Sequence, residues 1–371
     1  MKKLEITRNK KTTLALFSLL SLLFLMLSSQ YLYATKSKNK KESKFNYTPT
    51  VATTINAISF ETSALSYVGA YLGEDGQLTI LAEKNSEDLL PMASLTKLMT
   101  AIVAYKNYDM EEKITMGPKV NDWPDSSKRF IHGTSFKISE LLRALLIESN
   151  NDAAMALAGK IGLDNFVTAM NEEAQKLGLI TVHYDNPVGL DPSSKKEVIN
   201  YSTAKELLAL MKEIIKNYPQ ILETTSIPQY DIKTTSSGYN HTAISTNKFI
   251  SDENEKLFCR GEQVKILGGK TGSTDLAKKN LVLVLESPNG QGYLITIILS
   301  ANDNFLETKN LVNWLCESYD WPEPIENILQ NGVCWTKFET ISSKIQMIKT
   351  TKKDSAGRNN LSGGMDSPCL G

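Results

Sequence analysis

The feature that most constrains this chain is the placement of its strand-like runs at the two ends of a helix-rich middle. Ser66–Tyr71 and Gln77–Ala82 are short strand-like segments on either side of Gly73-Glu74-Asp75-Gly76, a hairpin pattern. Much later, Val264–Gly269, Asn280–Leu285 and Tyr293–Ser300 are again apolar, the last two joined across Ser287-Pro288-Asn289-Gly290. The intervening chain has helical periodicity. Leu95, Leu98, Met99, Ile102 and Val103 share one helix face, and Leu141, Leu142, Leu145 and Leu146 lie on a second helix from Ser139 to about Glu148. An Ala-rich helix follows from Asp152 and stops at Gly159–Gly162, and another spans Asp164–Leu177 with Gly178 as its cap. The capping box Thr203-Ala204-Lys205-Glu206 opens a fifth helix, which Pro219 is expected to end. A last helix is predicted from Asn304 to Tyr319. The terminal strand runs therefore form one antiparallel sheet, with flanking helices and an inserted helical block: an α+β domain.

Charge narrows the partners. Lys+Arg and Asp+Glu both number 41, so nothing in the balance points to nucleic acid. The N-terminus is different. Lys2, Lys3, Arg8, Lys10 and Lys11 precede an uncharged, Leu- and Phe-rich run from Thr12 to Thr35. About 20 helical residues cross a hydrocarbon core of about 30 Å, and this run is long enough. An uncleaved membrane anchor is favoured over a cleaved signal, because Leu32-Tyr33-Ala34 is a poor cleavage site. Either reading puts the rest of the chain outside the cytoplasm, secreted if the segment is cleaved. The expected plan is residues 1–35 as anchor or signal, 36–56 as polar linker, 57–320 as the catalytic domain, and 321–371 as a short polar, partly disordered tail. Cys259, Cys316, Cys334 and Cys369 allow a disulfide without specifying its partners, and isolated thiols fit equally well. His132, His183 and His241 show no ligand spacing, so no metal and no cofactor is expected.

Three short strings carry the chemistry: Ser94-Leu95-Thr96-Lys97, then Ser149-Asn150-Asn151, then Lys270-Thr271-Gly272. Each alone is weak. S-x-x-K also starts at Ser37, Ser193, Ser202 and Ser245, and S-x-N recurs at Ser37, Ser245, Ser287 and Ser300. Only the copy at Ser94 opens a strongly apolar helix that would sit under a sheet. Lys97, one turn from Ser94, would share its face and could take the serine proton. A free lysine has a pKa near 10.4, so acting as a base near neutrality requires about 4 kcal/mol of bias against the ammonium. Burial beside a second cation, for which Lys270 is the candidate, supplies such a bias. Ser149 could relay a proton to a leaving amine, and the Asn151 amide could bond a substrate backbone. Helix capping by Asn150 or Asn151 competes with that reading. The small residues around Lys270-Thr271-Gly272 suit a strand edge along which a peptide could lie. Lys270 and Thr271 would then bind a carboxylate, and the N–H groups of Ser273 and Ser94 would form an oxyanion hole.

The segment Pro91-Met92-Ala93-Ser94-Leu95-Thr96-Lys97-Leu98-Met99-Thr100-Ala101 resembles the nucleophile segment of serine-type D-alanyl-D-alanine carboxypeptidases, the low-molecular-mass penicillin-binding proteins. Leu145–Ala154 and Gly269–Thr274 resemble their second and third motifs, and Asn186-Pro187-Val188-Gly189-Leu190, Thr203–Leu207 and Thr246-Asn247-Lys248 are similar to further family segments. The resemblance runs from about Ile58 to Tyr319. It implies a five-stranded antiparallel sheet of the β-lactamase/DD-peptidase type. It also implies removal of the terminal D-alanine from peptidoglycan stem peptides through an acyl-serine, and acylation by β-lactam antibiotics. Three departures stand out. Asn150 occupies a usual glycine position, and Lys278-Lys279-Asn280 makes the cleft rim more basic. The remainder after Tyr319 is short and polar, so anchoring is expected to rest on the N-terminal segment. A weakly catalytic penicillin sensor or wall-binding module is the main alternative. A class A-like β-lactamase is the lesser one, since Glu172, Glu173 and Glu197 lack a recognisable role as deacylating base.

Overall fold

The structure is a computed structural model describing residues 48–51, 60–120, 122, 125–191, 200–236 and 238–322. The expected N-terminal anchor, most of the polar linker and most of the C-terminal tail lie outside these residues. No described helix is long and apolar enough to cross a membrane, and the Thr12–Thr35 run was outside that reach.

The two ends of the domain do build one sheet. Strands β1 (Ser66–Leu72), β2 (Leu78–Lys84), β3 (Ile266–Thr274), β4 (Lys278–Glu286) and β5 (Tyr293–Ala301) assemble in the order β3-β4-β5-β1-β2. Every pairing is antiparallel, and β5 bridges the ends of the chain through pairs such as Ile295↔Ala70 and Ile297↔Val68. The five-stranded α+β expectation holds. Because successive strand residues point to opposite faces, the continuous apolar runs of β4 and β5 serve two cores. Val282, Val284, Ile295 and Ile297 join the helical block, whereas Leu281, Leu283, Leu285 and Ile298 pack against helix α7 (Asn304–Ser318). Fully burying one such side chain contributes about 1.5–3 kcal/mol. A one-residue register slip would exchange the two faces wholesale.

The inserted block contains α1 (Lys97–Asn107), α2 (Ile138–Ile147), α3 (Asn151–Gly159), α4 (Leu163–Lys176), α5 (Ala204–Asn217) and α6 (Pro219–Thr225). Lys97 through Ala104 are all buried, which makes α1 the central helix rather than an amphipathic cover. Its neighbours α2 and α4 shield its sides.

Three local expectations shift. Pro219 does not simply end α5. It stands at the first turn of α6, where its missing N–H costs nothing. Thr203 accepts from Glu206 N at 3.0 Å as expected, but the reverse half of the box is absent: Glu206 Oε1 and Oε2 instead accept from Thr181 N and Oγ1. The C-cap is Leu177, one position before the expected Gly178, which follows it with a left-handed φ of 74°. After Pro219 the sequence pattern is β-like without placing individual strands before β3. The structure forms there a hairpin of Gln229–Thr234 and Gly238–Ile244, which packs on α2.

Cys259 and Cys316 form a disulfide with a Cα–Cα distance of 5.5 Å, closing a loop of 57 residues between the segment before β3 and α7. Thr50–Val51 also pairs with Tyr319–Asp320 at the end of that helix. Replacing both Cys259 and Cys316 with serine is expected to lower unfolding free energy by about 2–4 kcal/mol. Denaturant melts under non-reducing conditions measure this, and an unchanged midpoint would mean that the crosslink is energetically idle.

Candidate active site

The segment leading to Ser94 is gripped before it turns. Leu90–Pro91 pairs with Tyr201–Ser202, and Met92 N donates to Asn200 O at 3.2 Å. Ala93 adopts a left-handed φ of 49°, and Ala93–Thr96 form a single 3₁₀ turn that runs directly into α1. A non-glycine residue there costs roughly 1–2 kcal/mol, so the surroundings must hold it. The turn presents Ser94 beside the buried first residue of the helix. Lys97 Nζ lies 2.8 Å from Ser94 Oγ and 2.8 Å from Val188 O.

Val188 is itself positioned by a small amide network. Asn186 Oδ1 accepts from Val188 N at 3.2 Å and Gly189 N at 2.7 Å. Asn200 is only 2% exposed; its Nδ2 donates to Thr96 Oγ1 and Asn186 O, while its Oδ1 accepts from Asp185 N. Thr100 Oγ1 donates to Pro187 O at 2.7 Å. Gly189 has φ of 82°, and a Cβ there would fall 2.0 Å from Ala93 O, so only glycine lets this loop lie against the strained turn.

The third motif lies on the outer edge strand β3, alongside the same turn. A Cβ on Gly272 would stand 2.8 Å from Met92 O and 3.2 Å from Ser94 N, so its absence sets the close approach of the edge strand to the Ser94 turn. Thr271 Oγ1 meets Thr246 Oγ1 at 2.6 Å, and Lys270, 1% exposed, donates to Thr271 O at 3.1 Å. Ser273 is exposed on the strand opposite Lys279. Asn280, fully buried on β4, ties sheet to turn: its Nδ2 donates to Pro91 O at 3.0 Å and its Oδ1 accepts from Ser300 N at 2.8 Å. Lys278 and Lys279 remain exposed at the rim.

Two buried lysines therefore lie close enough for the charge of one to act on the other. Lys97 is pushed well below the ordinary lysine value, first by burial and second by the positive charge of Lys270. Burial lowers Lys270 to about 7. Neutralising the amine nearer Ser94 removes one of two like charges that otherwise face each other without water.

The second motif forms the α2–α3 turn. Ser149 has φ of 61°, and its buried Oγ has no hydrogen-bond partner among the described residues. Asn150 caps α3, accepting from Ala153 N at 3.0 Å, which settles which of the two asparagines is the cap. The same side chain donates to Glu148 Oε1 at 2.7 Å and Ser127 Oγ at 3.1 Å, so the residue at the usual glycine position braces the turn. Asn151 Nδ2 reaches Asp125 O at 3.5 Å. A cavity of about 360 Å³ is lined by Arg129, Ser149, Asn150, Asn151, Ile244 and Thr246, among others.

The competing S-x-x-K copies are used elsewhere or lie beyond view. Lys205 pairs with Glu87, and Lys248 sits over the Phe305 ring; Ser37 and Ser193 are outside the described residues. Glu172 and Glu173 sit on α4 and pair with Lys176 and Lys106. Glu197 lies outside the described residues. Sequence reading missed the supporting roles of Asn200, Asn280, Glu148 and His241. A buried asparagine in an otherwise apolar β4 run was the one available signal, pointing at Asn280.

The family profile described as D-alanyl-D-alanine carboxypeptidase, peptidase S11, matches residues 66–303. The chain is similar to the D-alanyl-D-alanine carboxypeptidase DacA of Haemophilus influenzae, with 30% identity over 251 residues, 63% of this chain and 58% of that protein. It thus spans less than two thirds of that relative's length. Among solved structures, penicillin-binding protein D2 of Listeria monocytogenes in its ampicillin-bound form is 27% identical, with a TM-score of 0.57 over 68% of this chain and 98% of that one. Penicillin-binding protein 5 of Haemophilus influenzae is 26% identical, with a TM-score of 0.58 over 69% of this chain and 72% of that one. The profile match covers most of the chain and contains all three motifs in order, and the chain belongs to the D-alanyl-D-alanine carboxypeptidase family.

Proposed function

We propose that this protein is a serine D-alanyl-D-alanine carboxypeptidase that trims the terminal D-alanine from peptidoglycan stem peptides. The observation that carries the reading is the 2.8 Å contact between Lys97 Nζ and Ser94 Oγ, with the amine buried and biased toward neutrality. With Lys97 uncharged, the same contact lets its lone pair accept the serine proton. Ser94 Oγ then attacks the carbonyl carbon of the penultimate D-alanine. The C–O bond forms, the negative charge gathers on the carbonyl oxygen, and the N–H groups of Ser94 and Ser273 stabilise it. One such donor is typically worth about 10²–10³ in rate. Collapse breaks the C–N bond, and the departing amine takes a proton delivered from Lys97 through Ser149. Water hydrolyses the acyl-serine by the same groups in reverse. Asn151 would orient the substrate backbone, while Lys270 and Thr271 would hold the terminal carboxylate, with Gly272 keeping the strand close to Ser94.

The ampicillin-bound relative supports acylation of Ser94 by β-lactams as well. Among the described residues, Glu172 and Glu173 are engaged by Lys176 of α4 and Lys106 of α1, which counts against either as the deacylating base of a β-lactamase. The protein is proposed to act outside the cytoplasm, tethered through the uncharged Thr12–Thr35 run. The Cys259–Cys316 disulfide supports that compartment, since such bonds persist where the medium is oxidising.

Ser94→Ala is expected to abolish both labelling by a fluorescent penicillin and D-alanine release from a pentapeptide. Ordinary labelling of that variant would overturn the choice of nucleophile. Lys97→Arg keeps a cation but cannot shed its proton, so acylation should fall by about 10²–10⁴. Wild-type turnover in the arginine variant would remove the base role. The lysine pair also makes stability pH-dependent. Lys270 titrates at about 7 when folded against an ordinary 10.5, so between those values the unfolded chain binds the extra proton. The burial penalty is full below about 7 and fades toward 10.5, by at most about 1.4 kcal/mol per pH unit. The stability advantage of Lys270→Met over wild type should therefore shrink as pH rises from 7 to 10. Denaturant midpoints that stay a constant distance apart across that range would contradict the burial account.

A further inference from the structure

The turn bearing Ser149 is held by a carboxylate that belongs to none of the three motifs. Glu148 immediately precedes Ser149, and its side chain is 8% exposed. Three donors converge on it from three parts of the chain. Arg129 Nη1 bonds Oε2 from the connection between α1 and α2, Asn150 Nδ2 bonds Oε1 at 2.7 Å across Ser149, and His241 Nε2 meets Oε1 at 2.8 Å from the Gly238–Ile244 strand. A carboxylate accepts and cannot donate, so His241 Nε2 carries the hydrogen in this contact. The ring is 12% exposed and packs edge-on against Phe130, which fixes its plane.

The strand that carries His241 also leads to the third motif. Thr246 N donates to Ile147 O at 3.1 Å, just before Glu148, and Thr246 Oγ1 meets Thr271 Oγ1 at 2.6 Å. Glu148 thus fastens the second motif to the chain segment that touches the third. This matters most at Ser149, whose left-handed backbone has no glycine to relax into and whose Oγ is tied to no other group among the described residues. Without a brace across the turn, its hydroxyl could rotate away with the backbone.

We propose that Glu148 and His241 are a positioning pair that holds the Ser149 turn in the geometry needed for proton relay, with Asn150 as the link between them and α3. The inference rests on the carboxypeptidase reading, and it assigns no direct contact with substrate to either residue.

The full chain would be compared with His241→Leu, which removes the donor, and His241→Gln, which restores an N–H near the position of Nε2. The readouts are kcat and KM for D-alanine release, the rate of Ser94 acylation by a fluorescent penicillin, and the melting temperature. A group needed in the transition state but not in ground-state binding lowers kcat with little change in KM. His241→Leu is therefore expected to lower kcat and the acylation rate at least tenfold with KM within about threefold. His241→Gln should recover both rates to within about threefold of wild type. A folded leucine variant with wild-type rates, or a glutamine variant as slow as the leucine one, would overturn the pairing. If the leucine variant does not fold, Glu148→Gln decides. It keeps the side-chain shape but loses the charge that gathers Arg129 and His241, and wild-type kcat there would also overturn the proposal. A wild-type protein that is acylated yet releases no D-alanine would instead sink the carboxypeptidase reading, and the acylation rates would still test the pair.

Discussion

Burial of two lysine side chains within electrostatic reach of one another is the constraint on which the site depends. Lys97 and Lys270 are essentially without solvent, at 0% and 1% exposure, and no carboxylate bonds either amine among the described contacts. Such a pair is costly when both are charged, and the cost is relieved by letting one lose its proton. The one that does so is held against Ser94 Oγ and Val188 O. The fold thus spends stability to hold an amine beside a hydroxyl in a place where burial and a neighbouring lysine both disfavour its charged form.

Keeping that arrangement rigid falls to groups remote from the chemistry. α1 is buried on every side along its first two turns, so Lys97 cannot swing to solvent. Asn186 and Asn200 saturate the backbone of the Val188 loop, and Asn280 holds Pro91 to the sheet. Asn200 and Asn280 are polar groups placed in an apolar interior, and both the oxygen and the nitrogen of each side-chain amide are hydrogen-bonded. The strained residues Ala93 and Ser149 then sit where neighbours over-determine them. In this light Asn150 is a brace that replaces conformational freedom with hydrogen bonds.

Much of this was legible before any coordinates. The split of strand runs between chain ends already implied one antiparallel sheet built from both, and the period-3.6 pattern located the helices of the block within a residue or two; that β5 pairs with β1 came from the structure. Pro219 was misread because the proline restriction is the same at the start of a helix as after its end. The hairpin at Gln229–Ile244 escaped notice since its burial is patchy, with alternation too weak to separate it from a loop. Glu148 and His241 were invisible for a different reason. They lie far apart in the chain, and neither type at its position departs from an ordinary surface residue.

Local chemistry therefore settled the parts: which serine opens an apolar helix, which lysine lies one turn on, where glycines leave room at a strand, and that the strands must pair across the insertion. These follow from periodicity and side-chain size, which are properties of neighbouring residues. Only the tertiary structure decided that Lys270 shares a pocket with Lys97, that Gly272 touches the backbone of Ser94, that Cys259 meets Cys316, and that a histidine from a distant hairpin steadies the second motif. Those are contacts between segments far apart in sequence. Their distances are set by how two cores pack on opposite faces of one sheet, and no local pattern encodes that.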